Sequence, residues 1–107
     1  MTTTWISVAK AADLPPGQRK CVDAQGSHVV LYNNAGEVLA FENECPHAGM
    51  PLAEGSISGT IIVCPFHGYT FDLKSGKNVD YADDIPVKTY AVRTENDDIQ
   101  VKIAEDE

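Results

Sequence analysis

An all-β fold is what the sequence predicts, and three observations predict it. Ile99, Val101 and Ile103 alternate with Gln100, Lys102 and Ala104, and Tyr90 and Val92 alternate with Thr89, Ala91 and Arg93. A strand turns successive side chains to opposite faces, so a period of two buries one face and leaves the other wet. Turn-forming residues punctuate the apolar runs at short intervals. The third observation is that no long amphipathic helical pattern emerges anywhere in the chain.

Taken in order, residues 5–9 read as a short strand, and residues 8–13 have room for a single helical turn. Asp13-Leu14-Pro15-Pro16-Gly17 then joins the first strand to a second over residues 19–24. Residues 28–32 and 37–41 form a hairpin about Asn33-Asn34-Ala35-Gly36, because Asn and Gly tolerate the left-handed backbone that tight turns need. The β-prone run 60–63 leads directly into Cys64, and residues 69–73 form another strand. Glu95-Asn96-Asp97-Asp98 turns the chain between the last two strands, which pair. The whole chain, residues 1–107, is expected to be one domain. It has an antiparallel β framework spanning both ends and an insertion from about residue 43 to residue 77.

The chemistry-bearing residues fall inside that insertion. Cys45-Pro46-His47 and Cys64-Pro65-Phe66-His67 each place a thiol and an imidazole at close spacing, and sixteen residues separate His47 from Cys64. Three readings compete for these four side chains. A Cys45–Cys64 disulfide leaves the matching histidines unexplained. Zinc accepts two Cys and two His, but zinc modules usually pair Cys with Cys and His with His. A [2Fe–2S] cluster with two Cys on one iron and two His on the other suits loops that are each a Cys-then-His unit. Proline after each cysteine fixes φ and biases the cysteine toward extended geometry, which stiffens both loops. Gly49 and Gly68 allow the backbone to pass close to a bound group, although either alone is also an ordinary turn glycine.

This pattern, Cys-x-His, sixteen residues, Cys-x-x-His, together with His47-Ala48-Gly49 and His67-Gly68, resembles the Rieske iron–sulfur proteins and, among them, the small Rieske-type ferredoxins. The resemblance covers nearly the whole chain. It implies the Rieske fold, an antiparallel β-sandwich base with a smaller cluster-binding subdomain. It also implies one [2Fe–2S] cluster, with Cys45 and Cys64 binding one iron and His47 and His67 the other. Respiratory and photosynthetic members carry two further cysteines that bridge the ligand loops. Here those positions are Met50 and Phe66, so that bridge cannot form and packing must hold the loops. High-potential members have a Ser two residues after the second His and a Tyr four residues after it, each donating a hydrogen bond to the cluster's sulfurs. Here Tyr69 and Phe71 stand there, which implies a low potential. A Rieske oxygenase also needs a separate mononuclear iron. Only His28 remains to build one, and in the run His28-Val29-Val30-Leu31-Tyr32 it reads as a strand residue.

Composition limits the partners. Sixteen acidic against eight basic residues give a net charge of −8, which opposes nonspecific attraction to nucleic acid or an anionic membrane. A basic docking surface on a partner protein is expected. Asp80-Tyr81-Ala82-Asp83-Asp84 is the candidate patch, whereas Glu105-Asp106-Glu107 serves solubility. No apolar run approaches membrane-spanning length, and Met1-Thr2-Thr3-Thr4-Trp5 lacks the basic-then-apolar pattern of a secretory signal. With Cys45 and Cys64 on iron only Cys21 remains, read as a small, partly buried hydrophobe next to Val22 with no cluster role; a cytoplasmic location is expected.

The expected function is electron transfer without catalysis on this chain. A reductase fed by NAD(P)H would donate the electron and a terminal oxygenase would accept it, with no small-molecule substrate bound here. The nearest alternative is the small Rieske subunit of an NAD(P)H nitrite reductase. A zinc-stabilised interaction module is the reading from a different class.

Overall fold

Apolar side chains on both faces of one central sheet organise the molecule into three layers. The computed structural model describes residues 2–44, 51–64, 68–80 and 86–105. Strands β1 (Thr2–Lys10), β2 (Arg19–Ala24), β3 (Ser27–Asn34), β4 (Glu37–Glu42), β5 (Ser56–Ser58), β6 (Ile61–Val63), β7 (Thr70–Asp72), β8 (Thr89–Tyr90), β9 (Val92–Glu95) and β10 (Asp98–Glu105) follow in chain order. Short 3-10 turns at Ala11–Asp13 and Leu52–Glu54 are the helical elements among the described residues. The strands form sheets ordered β1-β10-β9, β2-β3-β4-β8 and β5-β6-β7, and every pairing is antiparallel.

The middle sheet explains why residues 29–31 are apolar without interruption. Val29 and Leu31 face the first sheet and pack with Leu14, Ala40, Ile99, Val101 and Ile103. Val30 points the other way, into a second core with Phe41, Leu52, Ile62, Cys64, Phe71 and Val87. A half-exposed strand alternates, whereas a strand covered on both sides cannot. The first two sheets are the sandwich base. The third sheet, carrying the candidate ligand Cys64, is laid on its far side.

Several boundaries differ from the sequence expectation, each for a physical reason. The expected strand through Tyr90 and Val92 is two strands in two sheets: Tyr90 lies opposite Ala40, Val92 lies opposite Val101, and the chain changes sheet at Ala91. The period of two survives that change, so it does not reveal it. Asn33 was expected in a turn but lies in β3 and is buried, donating from Nδ2 to the Leu14 carbonyl at 2.8 Å and accepting the Gly36 N–H at 2.7 Å. The left-handed positions of that hairpin are Ala35 (φ 53°) and Gly36 (φ 104°). A further tight turn at Gln25 (φ 51°) and Gly26 (φ 87°) joins β2 to β3. The helical turn expected within residues 8–13 is the 3-10 turn at Ala11–Asp13.

Candidate metal centre

The second candidate ligand segment begins at Cys64, directly after β6, which pairs with β7. Ile62 opposite Phe71 and Val63 opposite Thr70 set the register of that pairing. The Cys64 N–H donates to the Tyr69 carbonyl at 2.7 Å, so the ladder continues one step beyond the strands. The Gly68 N–H then donates to the Cys64 carbonyl at 3.0 Å, with Gly68 at φ +73°. No described residue crowds that glycine, and its left-handed backbone angle calls for Gly there. Both backbone polar groups of Cys64 are thus committed to shaping the loop. Its side chain is buried, 1% exposed, in the core shared with Leu52, Ile62 and Phe71.

The described residues on both sides of the first candidate ligand segment are hydrogen-bonded. Before it, the Glu42 N–H donates to the Lys88 carbonyl and the Asn43 N–H to the His28 carbonyl, each at 2.8 Å. The Tyr90 hydroxyl also donates to Glu42 Oε1 at 2.6 Å. Burial, and then this bond to a carboxylate, push the Tyr90 phenol up to about 12, so it remains a donor at neutral pH. After the loop, Leu52 is fully buried and the 3-10 turn closes with the Gly55 N–H on the Leu52 carbonyl at 2.9 Å. Asn43 Oδ1 accepts the Ala53 N–H at 2.8 Å, so one side chain spans the base of the loop.

The described segments that flank the two candidate ligand stretches meet. Ser56 pairs with Val63, and Gly55 lies so close to the β6 backbone that an added Cβ would stand 2.3 Å from the Val63 carbonyl oxygen. The chain leaving the first loop therefore abuts the chain entering Cys64. Arg19, from the base, reaches the same point: its Nη1 donates to the Ala53 carbonyl at 2.7 Å and to the Gly55 carbonyl at 2.6 Å.

Of the four candidate ligands, the structure describes Cys64; Cys45, His47 and His67 lie outside the described residues, as do Gly49, Met50, Phe66, Asp83 and Asp84. The frame brings the ends of both candidate ligand segments together, and Cys64 is not in a disulfide. A buried thiolate suits a metal ligand, because binding to the metal compensates the cost of burying its charge. A donor set of two thiolates and two imidazoles fits a [2Fe–2S] group. His28 is exposed and pairs through Nδ1 with Asp23 Oδ1 at 2.7 Å, and Cys21, expected to be partly buried, is exposed, because its position in β2 falls on the uncovered part of that strand. Neither belongs to the site. Sequence reasoning did not find Arg19, Asn43, Gly55 or Tyr90, whose roles depend on residues 8 to 48 positions away.

Comparison with known proteins agrees with this frame. A family model for the Rieske [2Fe–2S] domain matches residues 4–91. The chain is 34% identical over 103 residues, 96% of its own length and 99% of the relative's, to the ferredoxin component of naphthalene 1,2-dioxygenase/salicylate 5-hydroxylase systems from a Ralstonia species. A chain in a complex of reduced oxygenase and oxidized ferredoxin of carbazole 1,9a-dioxygenase superposes with a TM-score of 0.81 at 28% identity, covering 91% of each chain. A Mycobacterium tuberculosis protein described as an NADH-dependent nitrite reductase small subunit superposes at 0.84 with 25% identity, covering 98% of this chain and 99% of that one.

Proposed function

This chain belongs to the Rieske [2Fe–2S] domain family, and from that premise we propose that it is an electron-carrier ferredoxin. It takes one electron from an NAD(P)H-dependent reductase and passes it to a terminal oxygenase. The observation that carries this reading is the end-to-end match to a ferredoxin component of dioxygenase systems. We treat residues 1–107 as one Rieske domain whose insertion, about 43–77, carries the cluster. Cys45 and Cys64 would hold one iron, and His47 and His67 the other. When bound, the group supplies a one-electron couple between diferric and mixed-valence states.

The described residues supply the support such a carrier needs. The backbone bonds of Cys64, the Asn43 span and the packing of Leu52 in the core shared with Ile62, Cys64 and Phe71 tie down the described ends of both candidate ligand segments. Val63 and Val79, 36% and 51% exposed, fall in one row across the outer face of the small sheet, joined through Thr70. Val63 immediately precedes Cys64, so this apolar row borders the ligand loop, where a protein partner would cover it. Cytoplasmic residence is part of the proposal. It rests on cysteine usage, since the exposed free thiol of Cys21 suits a reducing compartment. Among the described residues no helix is long and apolar enough to cross a membrane.

A low reduction potential is the expected signature. Phe71 is fully buried beside Cys64 in the core and has no hydroxyl to give a sulfur. The Tyr69 hydroxyl sits at the far end of a ring and does not reproduce a short serine contact. Such donors stabilise the extra negative charge of the reduced cluster, so the midpoint should fall toward the lower end of the Rieske span of about −150 to +300 mV. A mediator titration followed by EPR checks this. The double variant Tyr69→Ser, Phe71→Tyr should move the midpoint upward.

Reconstitution tests the function itself. The purified protein should be reduced by a dioxygenase-system reductase with NAD(P)H and should then support single turnovers of a terminal oxygenase. The nitrite reductase small subunit is the second reading, favoured by the fold likeness to the mycobacterial protein. It predicts instead stable association with a nitrite reductase large subunit and no turnover with the oxygenase.

A further inference from the structure

We propose that Arg19, on the sandwich base, is a positioning residue for the metal centre: it locks the junction where the two ligand-bearing loops meet and thereby sets the midpoint of the bound group. This deepens the reading of Cys45, His47, Cys64 and His67 as ligands and rests on it.

The argument begins with what meets at residues 53–55. The Ala53 N–H donates to Asn43 Oδ1 at 2.8 Å, and Asn43 stands two residues before Cys45. The Ala53 carbonyl accepts from Arg19 Nη1 at 2.7 Å, and the Gly55 carbonyl accepts from the same nitrogen at 2.6 Å. On its other side Gly55 lies against the carbonyl of Val63, the residue before Cys64. Three residues therefore tie the start of the first loop, its end and the start of the second to one guanidinium on β2. Arg19 lies opposite Tyr32 in the base, in a strand that is itself paired along its length with β3. The clamp is thus anchored in the hydrogen-bonded sheet of the base.

Arginine suits this position for two reasons. Its guanidinium is planar and permanently charged, so two N–H bonds from one nitrogen leave in fixed directions, whereas a lysine ammonium is a rotating point charge on a flexible stem. Charge-assisted bonds to carbonyl oxygens are also stronger than neutral ones. The charge has a second consequence: reduction adds a negative charge to the bound group, and a fixed cation at the loop junction favours that state. Removing Arg19 should loosen the junction and lower the midpoint together.

The test compares wild type, Arg19→Met and Arg19→Lys as iron-loaded proteins. Hydrogen exchange at the Ala53 and Gly55 amides should quicken about tenfold in Arg19→Met and less in Arg19→Lys, with the strands of the base unchanged. The midpoint should shift downward in Arg19→Met and return toward wild type in Arg19→Lys, which keeps the cation. Loaded Arg19→Met with wild-type exchange at both amides and a wild-type midpoint would overturn the proposal. So would faster exchange spread over the whole base with no change in midpoint, because Arg19 would then be a general stabilising residue. Should Arg19→Met not accumulate, Arg19→Lys carries the same decision, since its junction exchange must still exceed wild type. A wild-type protein without iron and acid-labile sulfide would instead overturn the ligand assignment, a failure distinguishable from the others.

Discussion

Cys64→Ala should lose the native [2Fe–2S] spectrum completely and unfold at a markedly lower temperature than wild type. Two effects combine at this residue. Its side chain is buried among Leu52, Ile62 and Phe71, so truncation leaves a small void in the second core. It is also a proposed ligand, and binding free energy at a site formed by folding is itself folding free energy. Losing one ligand therefore removes a metal bond and frees one of the two loops. Alanine at Cys45, His47 or His67 should abolish the spectrum as well, whereas Cys21→Ser, on the exposed face of β2, should leave it intact. Visible absorption, EPR, and iron and acid-labile sulfide analysis read the outcome. A normal, stoichiometric spectrum in His47→Ala or His67→Ala would sink the assignment, and one zinc per chain without sulfide would replace it with the structural-metal reading.

Gly76→Ala should be the most damaging substitution outside the ligands. Gly76 sits at φ +80°, and a Cβ there would stand 2.1 Å from the Val87 carbonyl oxygen and 3.3 Å from Thr89 Cγ2. The obstacle is backbone, which has no rotamer by which to yield. The position is also bonded on both sides: the Gly76 N–H donates to the Asp72 carbonyl at 2.6 Å, and its carbonyl accepts the Val87 N–H at 2.8 Å. Relieving the clash would mean separating the turn after β7 from the segment entering β8. The left-handed backbone alone costs an alanine roughly 1–2 kcal/mol. Adding the clash, the loss should reach about 3 kcal/mol or more, on the order of 12 °C or more in Tm for a chain of this size. Gly59→Ala is the matched control, because Gly59 is also left-handed, at φ +62°, but has nothing within 4 Å of an added Cβ. It should show the backbone cost alone. Thermal melts of the two variants separate strain from collision, and equal losses would mean that the close approach at Gly76 relaxes readily.

Features that depend on spacing along the chain can be read from the order of residues. The alternation at Ile99, Val101 and Ile103 places their side chains on one face of β10, whatever that face later meets. Asn96 and Asp97, at φ 52° and 70°, make the turn their chemistry favours. The two Cys-then-His segments were legible for the same reason, since a ligand motif is a local spacing of side chains. Tertiary structure decided what depends on which surfaces meet. Strand β5 has one apolar residue, Ile57, and exists because its backbone pairs with β6. Tyr90 and Val92 belong to different sheets because each finds a different partner strand, which no periodicity records. Arg19 and Asn43 support the candidate site only because folding brings Ala53 and Gly55 to them. Such contacts close long loops whose entropy must be overcome by burial elsewhere. Their choice therefore lies with the packed core rather than with any stretch of residues read in order.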